Sequence, residues 1–476
     1  MAMRRAMFLD SPDVDPSRPA LLDSSKGRWW SHAELRAAAT SLAGRMTGAS
    51  GGLAFLLSRN TAGSVIGYLA CVQAGVAVVL LDARTRPADL QKLIEIYRPE
   101  LVLAVDEASP GSDYRVDSPD GEVRLWRRAE DDRNRPVHPQ LAVLLSTSGS
   151  TGSPKLVRLT RRNVEANAQS IAACLQLSPG ERAMASLPLH YSYGLSVVNS
   201  HLQAGASVVL TEETVISPHF WRLFRTQACT SMPGVPYTYD MLLRIGFESL
   251  DVPSLRTLTQ AGGRLAPELA RRFHAEMSRR GGRFHVMYGQ TEATARIACM
   301  PWDRLPEKVG AVGVAIPGGR LSVDAGEGRD AGPSQPGEIV YSGPNVMMGY
   351  AESRDDLARG DELQGVLSTG DLGFLDEEGF LYITGRNRRI GKVMGMRVNL
   401  DEVEARLRAG GPTAVVAGDD RLLIYCEYGD EALFSRLARE LARDLRASEG
   451  SFSFSRVPAL PLNGNGKVDY RSLALT

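Results

Sequence analysis

A chain of 476 residues, 43% of them hydrophobic, carries enough apolar sequence for more than one core, and its length points to more than one domain. Lysine plus arginine and aspartate plus glutamate are both 55, so no overall charge draws the chain to nucleic acid or to an anionic membrane; small molecules or a local protein surface are the expected partners. The five cysteines, Cys71, Cys174, Cys229, Cys299 and Cys426, are widely spaced and never paired as CxxC, which argues against a disulfide framework or a thiolate zinc site and predicts reduced, mostly buried thiols.

The opening MAMRRAMFLD has too short an apolar run for a signal-peptide core, which places the protein in the cytoplasm. From residue 20 the text alternates between strand and helix. ALLD is a strand, and Ser31 with Glu34 three places on forms a capping box that opens a helix. Strands are expected at 53–57, 76–81 and 101–105 with helices between, the pattern of a parallel sheet covered on both faces. Residues 60–81 carry no charge up to Leu81 and could span a bilayer by length, but Gly63, Gly67, Gln73 and Gly75, and the change from SVIGYLACVQAG to VAVVLLD, read better as a buried helix followed by a buried strand. Residues 106–138, rich in Asp and Arg, read as a surface connection.

At 141–155, LAVLLSTSGSTGSPK, a buried parallel strand runs into a loop of hydroxyl residues and glycines. Thr147, Ser148, Gly149, Ser150, Thr151 and Gly152 offer donors and little bulk, so backbone N–H groups can turn inward on an anion, and Lys155 adds a point charge. The spacing is not that of the Walker loop; on composition alone a flexible linker is the competing reading. A strand and turn follow, with Asn163 as the expected cap of the next helix.

Further strand ends carry further candidates. In PLHYSYGLS, His190, Tyr191, Tyr193 and Gly194 stand at a strand-to-helix junction and are suited to wall a substrate pocket, with plain core packing as the alternative. Gly234 and Val235 lie at the next such junction, and Gly262 and Gly263 at the one after, where glycines permit close approach to a flat ring. In YGQTEA, Tyr288 can stack on a base; Gly289 and Gln290 form the turn; Thr291 suits a phosphate oxygen, and Glu292 is a hard oxygen ligand for Mg²⁺. From about 309 short alternating strands predict a small antiparallel barrel or sheet, within which Asp371 can accept hydrogen bonds from two ribose hydroxyls. A basic run, Arg386, Arg388, Arg389, Lys392, Arg397 and Arg406, accompanies an amphipathic helix from Asp401, and the end is a small αβ unit with Lys467 on a Gly/Asn-rich loop.

Taken together and in order, TSGSTGSPK, YGQTEA, STGDLGFLDEEGFLYITGR and LPLNGNGKVDY resemble the motifs of the AMP-forming adenylating enzymes: acyl- and aryl-CoA synthetases, peptide-synthetase adenylation domains and luciferases. The resemblance implies an α/β fold: a large N-terminal domain of stacked αβ sheets, 1–387, with a β-barrel-like subdomain at about 309–385, and a small mobile α+β lid, 388–476. It implies that a carboxylic acid attacks ATP with Mg²⁺ to give acyl-AMP, which a thiol then converts to a thioester. By the same resemblance Lys155 and the hydroxyl loop meet the β- and γ-phosphates, Thr291 the α-phosphate and Glu292 the Mg²⁺. Tyr288 and Gly263 meet the adenine, Asp371 and Arg386 the ribose side, and His190 the reacting acid. Lys467 bridges carboxylate and α-phosphate, Arg388 is the hinge, and Gly395 faces the thiol arm.

The chain departs from the family at Arg388, where Asp or Lys is usual, and at Gly391. PLHYSYGLS lacks the acidic residue that amino-acid-activating members use for the ammonium group, so the expected acid has no α-amine. The ending resembles carrier-protein-serving domains, so the thiol is either CoA, preferred because no carrier domain is attached, or the phosphopantetheine of an acyl carrier protein. A nucleotide-binding homologue without catalysis remains the rival.

Overall fold

The computed structural model describes residues 7–8, 14–106, 109–118, 121–129, 136–146, 155–326, 328–386, 389–393, 396–418, 421–445, 447–463 and 467–474. The chain divides into two compact units, one of Met1–Val309, Gly313–Arg320 and Ser342–Leu367, the other of Gly310–Val312, Leu321–Tyr341 and Ser368–Thr476.

The first unit is built on two sheets. In one, Leu101–Ala104, Leu53–Ser58, Ala77–Asp82 and Leu141–Ser146 lie side by side and parallel, and the last of these pairs antiparallel with Leu156–Thr160. Parallel strands covered on both faces must be apolar throughout, and all of Leu53–Ser58 is buried. The other sheet runs Arg28–Ser31, Pro19–Asp23, Ser207–Leu210, Arg182–Ala185, Ser231–Gly234, Thr257–Gln260, Arg283–Tyr288, and then turns antiparallel at Ala298–Cys299. Its parallel strands therefore deliver the segments after 185, 210, 234, 260 and 288 to one edge, the carboxyl edge where open α/β sheets hold ligands.

Helix Ala62–Ala74 packs on Leu53–Ser58 and Ala77–Asp82 of one sheet and touches Pro19–Asp23 of the other, which explains why it is apolar all round. Its first turn is met by the buried Asp23 carboxylate, which accepts from Ala62 N–H at 2.8 Å. A Cβ at Gly63 would stand 2.2 Å from the Glu122 carbonyl oxygen, so only glycine lets the chain pass there. The uncharged stretch at 60–81 is thus a buried helix and strand, and no helix among the described residues is long and apolar enough to cross a membrane.

Two local expectations are corrected. Residues 106–138 are more than a connection: Tyr114–Ser118 and Arg124–Arg128 form an antiparallel hairpin that extends the first sheet beside Leu101–Ala104. The successive residues Leu125 and Trp126 are buried, one on each face of the strand, while the arginines that disguised it are half-buried. The helix after strand Leu156–Thr160, Arg161–Leu175, is capped by Thr160; Asn163 is the reciprocal partner three places on, its side chain accepting from Thr160 N–H at 2.8 Å.

In the second unit, Arg320–Asp324, Gly337–Ser342, Val366–Leu375 and Leu381–Arg386 follow one another in a sheet. A separate three-stranded sheet, Thr413–Ala417, Leu422–Cys426 and Phe452–Arg456, supports helices Leu400–Leu407 and Glu431–Asp444 over a small apolar core. The expected helix from Asp401 starts one residue earlier. The basic run ahead of it is partly structural: Arg389 bonds Glu404, Asp401 and the Val415 carbonyl and stacks 3.9 Å from the ring centre of Tyr470. Tyr470 donates to Glu404 at 2.9 Å, so the segment three residues beyond Lys467 is tied into this core.

Candidate active site

Strand Arg283–Tyr288 ends in a tight turn in which Gln290 caps a short 3₁₀ segment, Thr291–Ala293. Two non-glycine residues follow with positive φ, Thr294 at 59° and Ala295 at 122°. A Cβ at Gly289 would stand 2.0 Å from the Ala295 carbonyl oxygen, so the turn closes on a glycine. Such backbone persists only where the surroundings over-determine it. Here Asn345 donates to the carbonyls of Ala293 at 2.8 Å and Arg296 at 2.9 Å, Asn167 reaches the Arg296 carbonyl at 3.1 Å, and Thr294 donates to the Asn345 carbonyl at 2.6 Å.

The two reactive side chains of the turn are each held by a partner. Thr291 Oγ1 lies 3.1 Å from Ser192 Oγ at the start of helix Ser192–Gln203, and Tyr350 donates to Glu292 Oε1 at 2.8 Å. Lys155, just before strand Leu156–Thr160, sits 5.2 Å from the Tyr350 ring centre and 3.0 Å from Glu352. Lys155, Thr291 and Glu292 are thereby gathered through Tyr350 and Ser192. Ser192, Tyr350, Glu352, Asn345 and Asn167 carried no signal of their own in the sequence.

Among the described residues no cluster of three His, Cys, Asp or Glu side chains could hold a metal. What the turn offers is one carboxylate, fixed at one oxygen by a phenol, with Thr291 beside it. That suits Mg²⁺, which keeps several waters and takes one or two carboxylates together with substrate phosphates.

His190 lies 3.9 Å from Asp82, and burial pushes its pKa below the ordinary histidine value, against the opposing pull of that carboxylate, so the imidazole is neutral at neutral pH. Tyr191 and Tyr193 are buried, and Tyr193 bonds the Thr259 carbonyl at 2.9 Å. Gly194 is required by packing: a Cβ would stand 2.2 Å from the Pro188 carbonyl oxygen, so it seats the preceding loop on the helix. Gly234 abuts Tyr239, and the buried Val235 precedes helix Pro236–Arg244. Gly262 takes φ of 83°, and the Gly263 carbonyl accepts from Gln260 at 2.8 Å, which fixes this glycine turn at the carboxyl edge. Tyr288 is buried at the strand end, so its ring is largely shielded by protein.

In the second unit Asp371 and Arg386 are direct cross-strand partners, and Asp371 is buried. Lys467 closes a turn with Asn463, through Asn463 N–H to the Lys467 carbonyl at 2.7 Å and Lys467 N–H to Asn463 Oδ1 at 3.1 Å. Thr147, Ser148, Gly149, Ser150, Thr151, Gly152, Arg388 and Gly395 lie outside the described residues.

A lysine after a strand of one sheet and a threonine and phenol-held glutamate after a strand of the other, joined through Tyr350, suit an α/β enzyme that works on nucleotide phosphates with a divalent cation. Residues 8–351 match the AMP-binding enzyme family, and the chain belongs to it. It is an AMP-forming acid–thiol ligase. It is 30% identical to the sulfoacetate–CoA ligase of Cupriavidus necator, over 95% of this chain and 94% of that protein. It is 29% identical to the 2-succinylbenzoate–CoA ligase of Bacillus pumilus, over 97% and 95%. In fold it is similar to the o-succinylbenzoate CoA synthetase (MenE) of Bacillus subtilis in complex with its acyl-adenylate intermediate, with a TM-score of 0.78 at 23% identity over 99% of this chain and 98% of that one. ATP-bound MatB from Rhodopseudomonas palustris gives 0.77 at 24% identity, over 99% and 98%.

Proposed function

We propose that this ligase joins a carboxylic acid without an α-amine to CoA. A carboxylate oxygen attacks the α-phosphorus of ATP and pyrophosphate leaves; the CoA sulfur then attacks the acyl carbon and AMP leaves. The observation that carries this reading is that Thr291 and Glu292, after a strand of one sheet, are held by Ser192 and Tyr350, and that Tyr350 also meets Lys155, which stands at a strand of the other sheet. In such a reaction the protein's task is to position the reactants and offset phosphoryl charge.

We assign Lys155 and the loop 147–152 to the β- and γ-phosphates, Thr291 to the α-phosphate and Glu292 to Mg²⁺, which when bound neutralises phosphate charge. Tyr288 and the 262–263 turn border the adenine, and Asp371 with Arg386 the ribose. Lys467, on a lid beginning near 388 with Arg388 as hinge and Gly395 toward the thiol, completes the adenylation site. A cytoplasmic location fits the five unpaired thiols.

The absence of an acidic side chain from the 188–196 stretch, and the neutral His190 within it, support an acid lacking an ammonium group. The named acids of the two relatives, sulfoacetate and 2-succinylbenzoate, carry no amine, and each has a second acid group. The carrier-like ending LPLNGNGKVDY favours a second reading, in which the thiol is a carrier-protein phosphopantetheine. Acid-dependent ATP–pyrophosphate exchange with wild type beside Lys467→Ala tests the first step, and thioester formation with CoA against a phosphopantetheinylated carrier protein tests the second. Exchange that survives Lys467→Ala, or no exchange with any acid despite tight ATP binding, would overturn the reading.

A further inference from the structure

Three arginines are deeply buried among the described residues, and they are not alike. Arg158 meets Glu362 at 2.7 Å and three carbonyls, and Arg354 meets Glu100 at 2.6 Å. Arg296, 2% exposed, has no carboxylate partner. Its Nη1 donates to the carbonyl of its own neighbour Ala295 at 3.2 Å, its Nε has no partner, and its guanidinium lies 3.9 Å over the Tyr193 ring. A guanidinium stays protonated in a protein, so this is a buried cation without a counter-ion among the described residues, an arrangement that costs stability unless an anion arrives.

Beside it is a cavity of about 20 Å³, lined by Arg296, Tyr193, Thr259, Ser231, His201 and Met287. His201 supplies no charge there: burial pushes its pKa down to about 4. Its Nδ1 must donate to the Val197 carbonyl at 2.8 Å, which leaves Nε2 to accept from Ser231 at 3.3 Å. Arg296 is thus the one cation facing the cavity. The cavity shares Tyr193 with the helix whose first residue, Ser192, is the partner of Thr291. The space is that of about one water, with apolar side chains over much of its wall, so an oxyanion head enters only as the flexible Met287 and Met232 yield, and a long alkyl chain does not fit.

We infer that the acid activated here is short and carries a second oxyanion, a carboxylate or sulfonate, and that Arg296 binds it and so determines specificity. The inference rests on the acid-activating reading above. The turn is held chiefly by Asn345 and Asn167 through the Arg296 backbone carbonyl, and the guanidinium adds one long bond to the Ala295 carbonyl, so most of its donors are not spent on the turn.

The test is ATP–pyrophosphate exchange with wild type, Arg296→Met and Arg296→Lys on matched pairs, propionate with malonate and butyrate with succinate, and on their sulfonate analogues. Wild type is expected to favour the doubly anionic acid by at least about 100-fold in kcat/KM. That ratio should collapse toward unity in Arg296→Met and survive in part in Arg296→Lys. Exchange with monoacids as good as with diacids in wild type overturns the inference and leaves the acid-activating function standing; exchange with no acid overturns both. Should Arg296→Met fail to fold, the wild-type panel and Arg296→Lys decide.

Discussion

Tyr350→Phe isolates one contact of the candidate site. The substitution removes the hydroxyl that donates to Glu292 Oε1 at 2.8 Å and keeps the ring against which Lys155 lies. A hydrogen bond to a charged group is worth about 1.5–3 kcal/mol; Glu292 is only half-buried, and screening reduces this to about 1 kcal/mol, or roughly a fivefold change. If Glu292 meets the cation, the loss falls on its orientation. The Mg²⁺ concentration giving half-maximal ATP–pyrophosphate exchange should then rise about fivefold while the KM for the acid stays within about twofold. Glu292→Gln, which removes the charge, should cost far more. An unchanged Mg²⁺ dependence in Tyr350→Phe, or an equal effect on the acid, would refute the assignment.

Other consequences concern stability. Burial pushes His201 and His285 down to about 4 from an ordinary 6.5, so the unfolded chain binds protons that the folded chain refuses. Their contribution is complete above pH 6.5 and declines as pH falls toward 4, by roughly 3 kcal/mol each; a melting temperature flat between pH 7 and 4.5 would contradict this. Glu404→Gln weakens the buried carboxylate that receives Arg389, Arg408 and Tyr470, and should cost about 3 kcal/mol. Hydrogen exchange should quicken around 400–474 and stay unchanged in the first unit. Gly63→Ala forces a Cβ onto the Glu122 carbonyl and should lower stability by about 1–3 kcal/mol in denaturant titration, despite alanine's better helix propensity.

Features written in continuous sequence were legible. The capping box at Ser31 and Glu34 formed as read, and the uncharged 60–81 stretch resolved into helix and strand because its glycines and β-branched residues separate the two periods. YGQTEA at a strand end was visible because a strand, a turn and a hydroxyl–carboxylate pair are local. Partners drawn from afar were not legible. Ser192 meets Thr291 across 99 residues of sequence and Tyr350 meets Glu292 across 58, and nothing in either segment announces the pairing. The hairpin at 114–128 was hidden for a different reason: it is an edge of the sheet, so it carries arginines and aspartates that read as loop chemistry. Arg389 looked like one of a run of exposed charges, but its acidic partners, Asp401 and Glu404, lie on the following helix.

Glu292, assigned above to the cation, and Arg296, inferred above to bind the second acid group, stand on the same strained segment after strand Arg283–Tyr288, and Asn345 bonds backbone carbonyls beside both. Asn345→Ala deprives the carbonyls of Ala293 and Arg296 of a buried donor and leaves Arg296 with Asn167 alone. Losing such a donor costs about 1–3 kcal/mol, and the positive φ of Thr294 and Ala295 gives the segment a reason to relax once released. Tyr350→Phe should disturb only the cation side of the site. Asn345→Ala should lower exchange and the preference for doubly anionic acids together, because one rearrangement moves both side chains. If the melting temperature fell while exchange and acid preference kept their wild-type values, Asn345 would support the fold without positioning the site, and the turn could not be the element that couples phosphate chemistry to acid recognition.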